Sequence, residues 1–559
     1  MKKNLSSTFK NIAGYSVRSG RISLCLNEAL GKKKVLDLLL VIITSAIVLF
    51  SFAFALRLVP SQVTFGYDQA RDAYEANSIW QKHDLKILGP SSDVPGLNHG
   101  VLWYYFLALA YGISQGNPEV AAIFTLFLLY LFIPVMGIIA YKITENYRDS
   151  LMSVALYSFA PLSVAFSHWL SNPMLALLIA PPLLLLIWMY LKKQNKILAL
   201  FIGLSYGLLI QSDFAFLVLL LTIPFYIYFF KLKVKISDAL MFSLGLLIAL
   251  STFILSYIKF QTNIIQIISS FLVNNTGAGF STSSALLSLV DWTVNIFSIT
   301  FLPFPKLLVF ALLLFLITYK RKEIFNISNK LITFLLIWLS GSLFLFIFNR
   351  GNMSATFLYS PFLFSGALLI GLILNNLIRK DYVRYSILAG IVLFQALLIN
   401  SWTNRYYTPL SIQLGITTKF EKEIVNYTYN QSEGKNFIIN TITNPLYINT
   451  TWAYLYEYYG KNKYGYLPYW GGRSQVGYLG NLSEKAPSNV ALRYLIIEPQ
   501  DGIQEIWKAR IIYDEDRISD IIERKKFGNY EVQKRIINLN KGPIPLPDIL
   551  QKRADVLKF

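Results

Sequence analysis

The sequence predicts a mainly α protein, a polytopic transmembrane helical bundle of about 11 spans followed by a C-terminal α/β or α+β domain. Three observations carry that expectation. Of 559 residues, 54% are hydrophobic and only 15% are charged, against roughly 25% charged in an ordinary soluble protein. The apolar residues gather in stretches of about 17–25, the length a helix needs to cross a hydrocarbon core of about 30 Å. Within lipid a chain must satisfy its own backbone hydrogen bonds, so such stretches read as helices. The basic residues behind the net charge of +20 cluster beside them, at Lys32 to Lys34, Lys192-Lys193, Lys231 to Lys235, Lys320 to Lys322 and Arg379-Lys380. Basic residues flanking spans mark the cytoplasmic side. Their placement argues for a lipid bilayer, not nucleic acid, as the partner.

Taken in order, residues 1–34 form a basic cytoplasmic segment. The first apolar run, from Val35, is too long for a signal-peptide core and lacks a small-residue cleavage site. The spans expected are 35–59, 119–141, 150–169, 174–191, 197–211, 214–230, 239–258, 304–319, 330–348, 355–376 and 384–400. With the N-terminus cytoplasmic, the short basic connectors 142–149, 192–196, 231–238, 320–329 and 377–383 all fall inside. The stretch 100–114 is apolar, but as a helix it reaches only about 22 Å. Counting it as a span would also put the later basic connectors outside. It reads as a helix in the outer interface, comfortable for Trp103, Tyr104, Tyr105 and Tyr111. Residues 281–302, with Asp291 and Trp292 in their middle, take the same reading.

Residues 35–400 thus form a membrane module, and 401–559 a soluble extracytoplasmic domain. The domain has strand-like runs at 436–442, 492–498 and 529–537, and helical patterns near 417–430, 450–459 and 501–511. Its segment 447–470 is dense in Tyr and Trp, as either an aromatic core or a carbohydrate-facing surface. The single cysteine, Cys25, allows no intrachain disulfide.

The chemistry concentrates in the outer loop 60–118. A helix from Tyr67 places Asp68, Arg71, Asp72 and Glu75 on one face. The arginine can hold a phosphate in its planar fork while the aspartate accepts a proton. Equally, Asp68 can be a helix N-cap with Arg71 in a surface ion pair. His83, His99 and His168 all fall in outer loops. Asp213, beside Gln211 at an outer turn, is a second carboxylate or a turn residue. Arg350, at the outer end of the ninth span, is a lipid-phosphate contact or a snorkelling anchor. Arg473 is a weaker candidate from the exterior domain. No Walker-type loop, zinc spacing or nucleophile elbow occurs.

This layout resembles the C-type glycosyltransferases, multi-span enzymes of the protein O-mannosyltransferase and aminoarabinose transferase group. Their Asp-x-x-Arg-x-Ala helix is matched by Asp68, Arg71 and Ala73, their Gly-Pro turn by Gly89-Pro90, and the polar pair before their interfacial helix by Asn98-His99. Relatives often have Glu-Lys at that pair, and an acidic residue where this chain has Asn172-Pro173. No cofactor is identified and a divalent metal stays open. The resemblance implies sugar transfer from a polyprenyl-phosphate donor to an acceptor that is protein, lipid or glycan. Asp68 is then the base, inversion at the anomeric carbon is implied by the class, and Arg71, His99, Asn98, Asn172, His168, Asp213 and Arg350 contact substrate.

Two other classes compete. A lipid or solute transporter, or flippase, calls for ionisable residues near mid-membrane, and the span centres hold almost none. A non-catalytic assembly partner is kept open by Asn98 and Asn172.

Overall fold

The computed structural model describes residues 38–92, 96–261, 269, 282–302, 304–311, 329–349, 355–411 and 413–552. Helix α1 (Leu38–Gln62) leads into a loop holding α2 (Tyr67–Lys82) and α3 (Leu102–Ser114), and α4 (Pro118–Thr144) runs back. Six helices among the described residues are long and apolar enough to cross a membrane, or seven if one bent pair counts as a span. The apolar helices among the described residues stand where hydropathy places them, but fewer of these than the eleven expected are full-length spans.

The shortfall has local causes. The segment expected at 150–169 is two helices, Tyr147–Ser158 and Pro161–Phe166. Pro161 excludes its predecessor from helical geometry, and Ala160 has ψ 120°. The carbonyl freed at Ser158 accepts from Ser51 of α1, and Tyr130 of α4 lies 3.4 Å from it. Neighbouring helices thus supply what the break removes. The helix Lys196–Ser212 spans about 25 Å at 1.5 Å per residue, and Phe214–Phe229 is also short. Ile236–Ala249 and Ser251–Phe260 meet at a 58° bend. Most of 304–319 lies outside the described residues.

Close helix packing uses small residues four apart. A Cβ on Gly203 would stand 2.0 Å from the Phe242 carbonyl oxygen, and one on Gly245 2.1 Å from that of Leu200. Gly207 similarly faces Ala249. This is the arrangement that lets helices associate in lipid by backbone approach.

The bundle has two chemically distinct ends. Lys192 pairs with Glu145 at 2.5 Å, Arg148 approaches Asp381 at 3.7 Å, and Asn375 donates to Asp149 at 2.6 Å. Tyr190 donates to Asp238 at 2.8 Å. The connectors 142–149, 192–196, 231–238 and 377–383 therefore share one end. At the other, Gln62 donates to the Thr403 carbonyl at 3.1 Å, and the Thr418 amide to that of Val63 at 3.0 Å. The first loop and the C-terminal region lie together there.

The C-terminal sheet consists of β1 (Ile438–Ile442), β2 (Tyr469–Trp470), β3 (Leu492–Ile497), β4 (Ser519–Phe527) and β5 (Tyr530–Ile537), in the order β2-β1-β3-β5-β4. β1 runs parallel to β2 and β3, while β5 is antiparallel to β3 and β4. Trp452, Tyr454 and Tyr456 are wholly buried, so that part of the aromatic-rich segment is core. Beneath the sheet, Glu498 accepts from the Trp452 indole at 3.0 Å and the Asn444 amide at 3.1 Å. Burial pushes its carboxyl up to about 7.

Gly203→Leu or Gly245→Leu should destabilise the protein by about 1–3 kcal/mol or more through overpacking, read as a lower melting midpoint in detergent. The raised Glu498 means that the folded state binds more protons than the unfolded one between about 4.5 and about 7. Its stabilising contribution is full below that window and lost as pH rises through it. The melting midpoint should fall over this range, and Glu498→Gln should flatten the fall.

Candidate functional site

Helix α2 starts on Gly66, whose amide donates to the Gln69 side chain at 3.0 Å. Asp68 is therefore not the cap. It lies in the first turn, where the helix dipole favours a carboxylate. Gln69 also donates to the Leu170 carbonyl at 3.3 Å, tying the start of α2 to the loop after residue 166. From this base Arg71 projects inward, with 11% of its side chain exposed against 61% for Asp68.

The guanidinium is gripped from several directions. Its Nη1 lies 2.8 Å from Asp68 Oδ1 and donates to Ser91 Oγ at 3.0 Å. Its Nε and Nη2 reach Asp72 Oδ1 at 2.9 and 2.8 Å. The other Asp72 oxygen accepts from the Trp103 indole at 2.8 Å, which joins α2 to α3. Asp72 is fully buried, and burial pushes its carboxyl up to about 6, against the pull of Arg71. Burial alone would lower Arg71, but Asp72 and Asp68 more than offset this and raise it. Asp72 and Trp103 were not among the expected contacts. The helical spacing put Asp72 on the Arg71 face, but its indole partner comes from 31 residues away.

A second cluster forms where this loop meets the turn at 209–214. The segments around Ser91 and Asn98 pair as an antiparallel bridge, and Asn98 donates to the Gly89 carbonyl at 3.1 Å. The His99 amide donates to the Pro90 carbonyl at 2.7 Å, and that of Gly100 to Gln211 at 3.0 Å. Only glycine fits at 100, because an added Cβ would meet the Gln211 backbone Cα at 2.6 Å. His99 Nδ1 lies 3.5 Å from Asp213 Oδ1 and accepts from the Phe214 amide at 3.3 Å. Asp213 also accepts from the Ala215 amide at 2.9 Å, as a turn residue does. Asn172 donates to the Ser212 carbonyl at 2.6 Å.

The structure thus gathers Asn98, His99, Asn172 and Asp213 around one turn, and Asp68 and Arg71 around Asp72. The paired segments at 89–92 and 97–100 connect the two groups, through Ser91 on Arg71 and Gly100 on Gln211. His168 stands apart: its ring nitrogens lie 2.8 Å from the Ala55 carbonyl and 3.0 Å from that of Val164. It joins α1 to the Pro161–Phe166 helix. Arg350 lies outside the described residues. Arg473 stacks over the Tyr447 ring at 3.8 Å. Among the described residues, no three His, Cys, Asp or Glu side chains gather as they would around a metal ion.

The C-terminal domain touches the loop directly. Tyr454 donates to the Gly116 carbonyl at 2.7 Å and accepts from Asn77 of α2 at 3.0 Å. Its ring meets that of Tyr74 edge-on at 5.0 Å. Lys422 pairs with Glu119 at the start of α4, at 2.9 Å.

The fold is similar to that of ArnT from Cupriavidus metallidurans, solved bound to undecaprenyl phosphate. The likeness covers 90% of this chain and 99% of that one, at 10% identity and a TM-score of 0.54. AglB, an archaeal oligosaccharyltransferase from Archaeoglobus fulgidus solved with an inhibitory peptide and a dolichol-phosphate, is matched over 90% of this chain and 75% of that one. Identity there is 11% and the TM-score 0.39. No family model and no curated protein matches the sequence. The likeness to ArnT is one of fold, extending over the membrane helices and the C-terminal domain alike.

Removing one partner of a buried ion pair typically costs about 3–5 kcal/mol. Arg71→Met should therefore lower stability by about that amount, by stranding Asp72. Arg71→Met/Asp72→Leu should recover most of it, which parallel melts would show.

Proposed function

We propose that this protein transfers a sugar from a polyprenyl-phosphate donor to an acceptor hydroxyl, at the membrane face that carries the first loop. The observation behind this reading is an exposed carboxylate, Asp68, held 2.8 Å from an arginine that is itself anchored by a buried aspartate. Its fold is shared with a protein solved with a polyprenyl phosphate in place.

The acceptor oxygen attacks the anomeric carbon, the bond from that carbon to the phosphate oxygen breaks, and configuration inverts. Asp68 takes the hydroxyl proton, and the electron pair leaves with the polyprenyl phosphate. Arg71 couples the two events. While Asp68 is ionised, two carboxylates balance the guanidinium. Once Asp68 is protonated, that balance shifts and Nη1 is freer to meet charge building on the phosphate. The interaction strengthens in the transition state, which is what accelerates a reaction. His99 and Arg350 are further phosphate contacts, with Asn98, Asn172 and Asp213 shaping the His99 end. His168 belongs with the supporting wall, since both its ring nitrogens face backbone carbonyls.

Residues 35–400 make up the catalytic module and 401–559 the domain over it, where Tyr454 and Lys422 hold it against the loop. The four basic connectors among the described residues share the end away from that loop, which supports a cytoplasmic N-terminus and an extracytoplasmic site. The acceptor is a hydroxyl-bearing protein, lipid or glycan.

Purified protein incubated with radiolabelled polyprenyl-phosphate sugars should release label, and Asp68→Asn should reduce the rate by at least about 10²-fold, the low end for a positioned base. Full activity in that variant would overturn the assignment.

A further inference from the structure

The far end of the bundle holds a cavity of about 240 Å³, walled by the helices Leu175–Lys192, Lys196–Ser212, Thr222–Phe229 and Ile236–Ala249. Its polar side chains are largely spoken for. Tyr190 donates to Asp238 at 2.8 Å, Tyr206 and Thr222 share a 2.9 Å hydrogen bond, and Tyr226 donates to the Phe334 carbonyl at 3.0 Å. What they leave facing the cavity is mostly hydrocarbon, from residues such as Ile187, Ala199 and Ile202. An apolar cavity of about 150 Å³ stays dry and takes a benzene-sized guest. A larger, partly open one suits a length of hydrocarbon chain.

The connector beside it reads Lys231-Leu232-Lys233-Val234-Lys235. Leu232 and Val234 line the cavity, whereas the three alternate lysines are exposed. One short segment thus lends two apolar side chains to the cavity lining and carries three exposed cations alternating with them. Basic residues at the mouth of a pocket between membrane helices recognise anionic headgroups.

We infer that this cavity and its lysine rim form a binding site for one anionic glycerophospholipid, an acyl chain in the cavity and the phosphate on Lys231, Lys233 and Lys235. The polyprenyl carrier is a poorer occupant. The helix Leu175–Lys192 separates Tyr190, at the cavity, from Asn172, at the first-loop end. Those 18 residues rise about 27 Å, so a carrier seated here would hold its phosphate far from Asp68. The site does not depend on the transfer reaction.

The test is native mass spectrometry of the full chain from nanodiscs holding equal phosphatidylglycerol and phosphatidylcholine. The wild type should retain phosphatidylglycerol with a preference of at least about fivefold, the worth of a single surface lysine. Lys231→Gln/Lys233→Gln/Lys235→Gln, confined to exposed positions, should bring the preference close to one. Ala199→Phe should fill the cavity and remove the retained lipid. Asp68→Asn should keep the wild-type preference, which separates this result from the fate of the transferase reading. Equal retention of both lipids by the wild type, or an unchanged preference in the triple variant, would overturn the site. So would one-for-one displacement of phosphatidylglycerol by added polyprenyl phosphate.

Discussion

Asp72 is the carboxylate on which the first loop depends. It is buried, and a buried charge is tolerated only when it is paired and hydrogen-bonded. Arg71 and Trp103 provide both, from α2 and from α3. The same contact therefore packs two helices together and sets where the guanidinium points. Ser91 completes its orientation from the paired segments. Of the charged members of this group, Asp68 alone is left largely in the open, the arrangement required of a carboxylate that must meet a substrate.

The membrane module is irregular where it meets the site and more regular elsewhere. The break at Pro161, the short helix at Asn172–Met174 and the 3₁₀ turns at Phe214–Leu221 all occur near the loop end. Irregular backbone within a membrane is tolerated where protein buries it and supplies its hydrogen bonds. Asn172 on the Ser212 carbonyl and Ser51 on that of Ser158 do that here. The same irregularity brings the ends of several helices around His99.

The C-terminal domain is joined to the loop through ring contacts and hydrogen bonds centred on Tyr454, and through Thr418 and Lys422 on the start of α4. It forms part of the surroundings of α2. Strand β4 carries Glu523, Arg524, Lys525 and Lys526 at exposed positions of the sheet edge. Charge on an edge strand guards against pairing with another chain.

Hydropathy alone was enough to place the apolar helices, the loop between α1 and α4, and three of the five strands, because membrane thickness and strand alternation leave local signatures. Charge placement marked five basic connectors, of which the four among the described residues share one end. Strand β4 escaped notice because its charged residues break the alternation that marks a half-buried strand. The number of complete spans escaped as well, since Pro161 and the bend near Leu250 are decided by what neighbouring helices can satisfy. In the loop, the spacing of Asp68, Arg71 and Asp72 was legible as one helical face. Which carboxylate is buried and which stays open was not. That depends on the Trp103 indole arriving from another helix, and on the Asn98-His99 segment closing against Gln211 and Asp213. The sequence by itself determined which groups are available and roughly where they lie. Tertiary packing decided their exposure and partners, because burial and hydrogen bonding are set by residues distant along the chain.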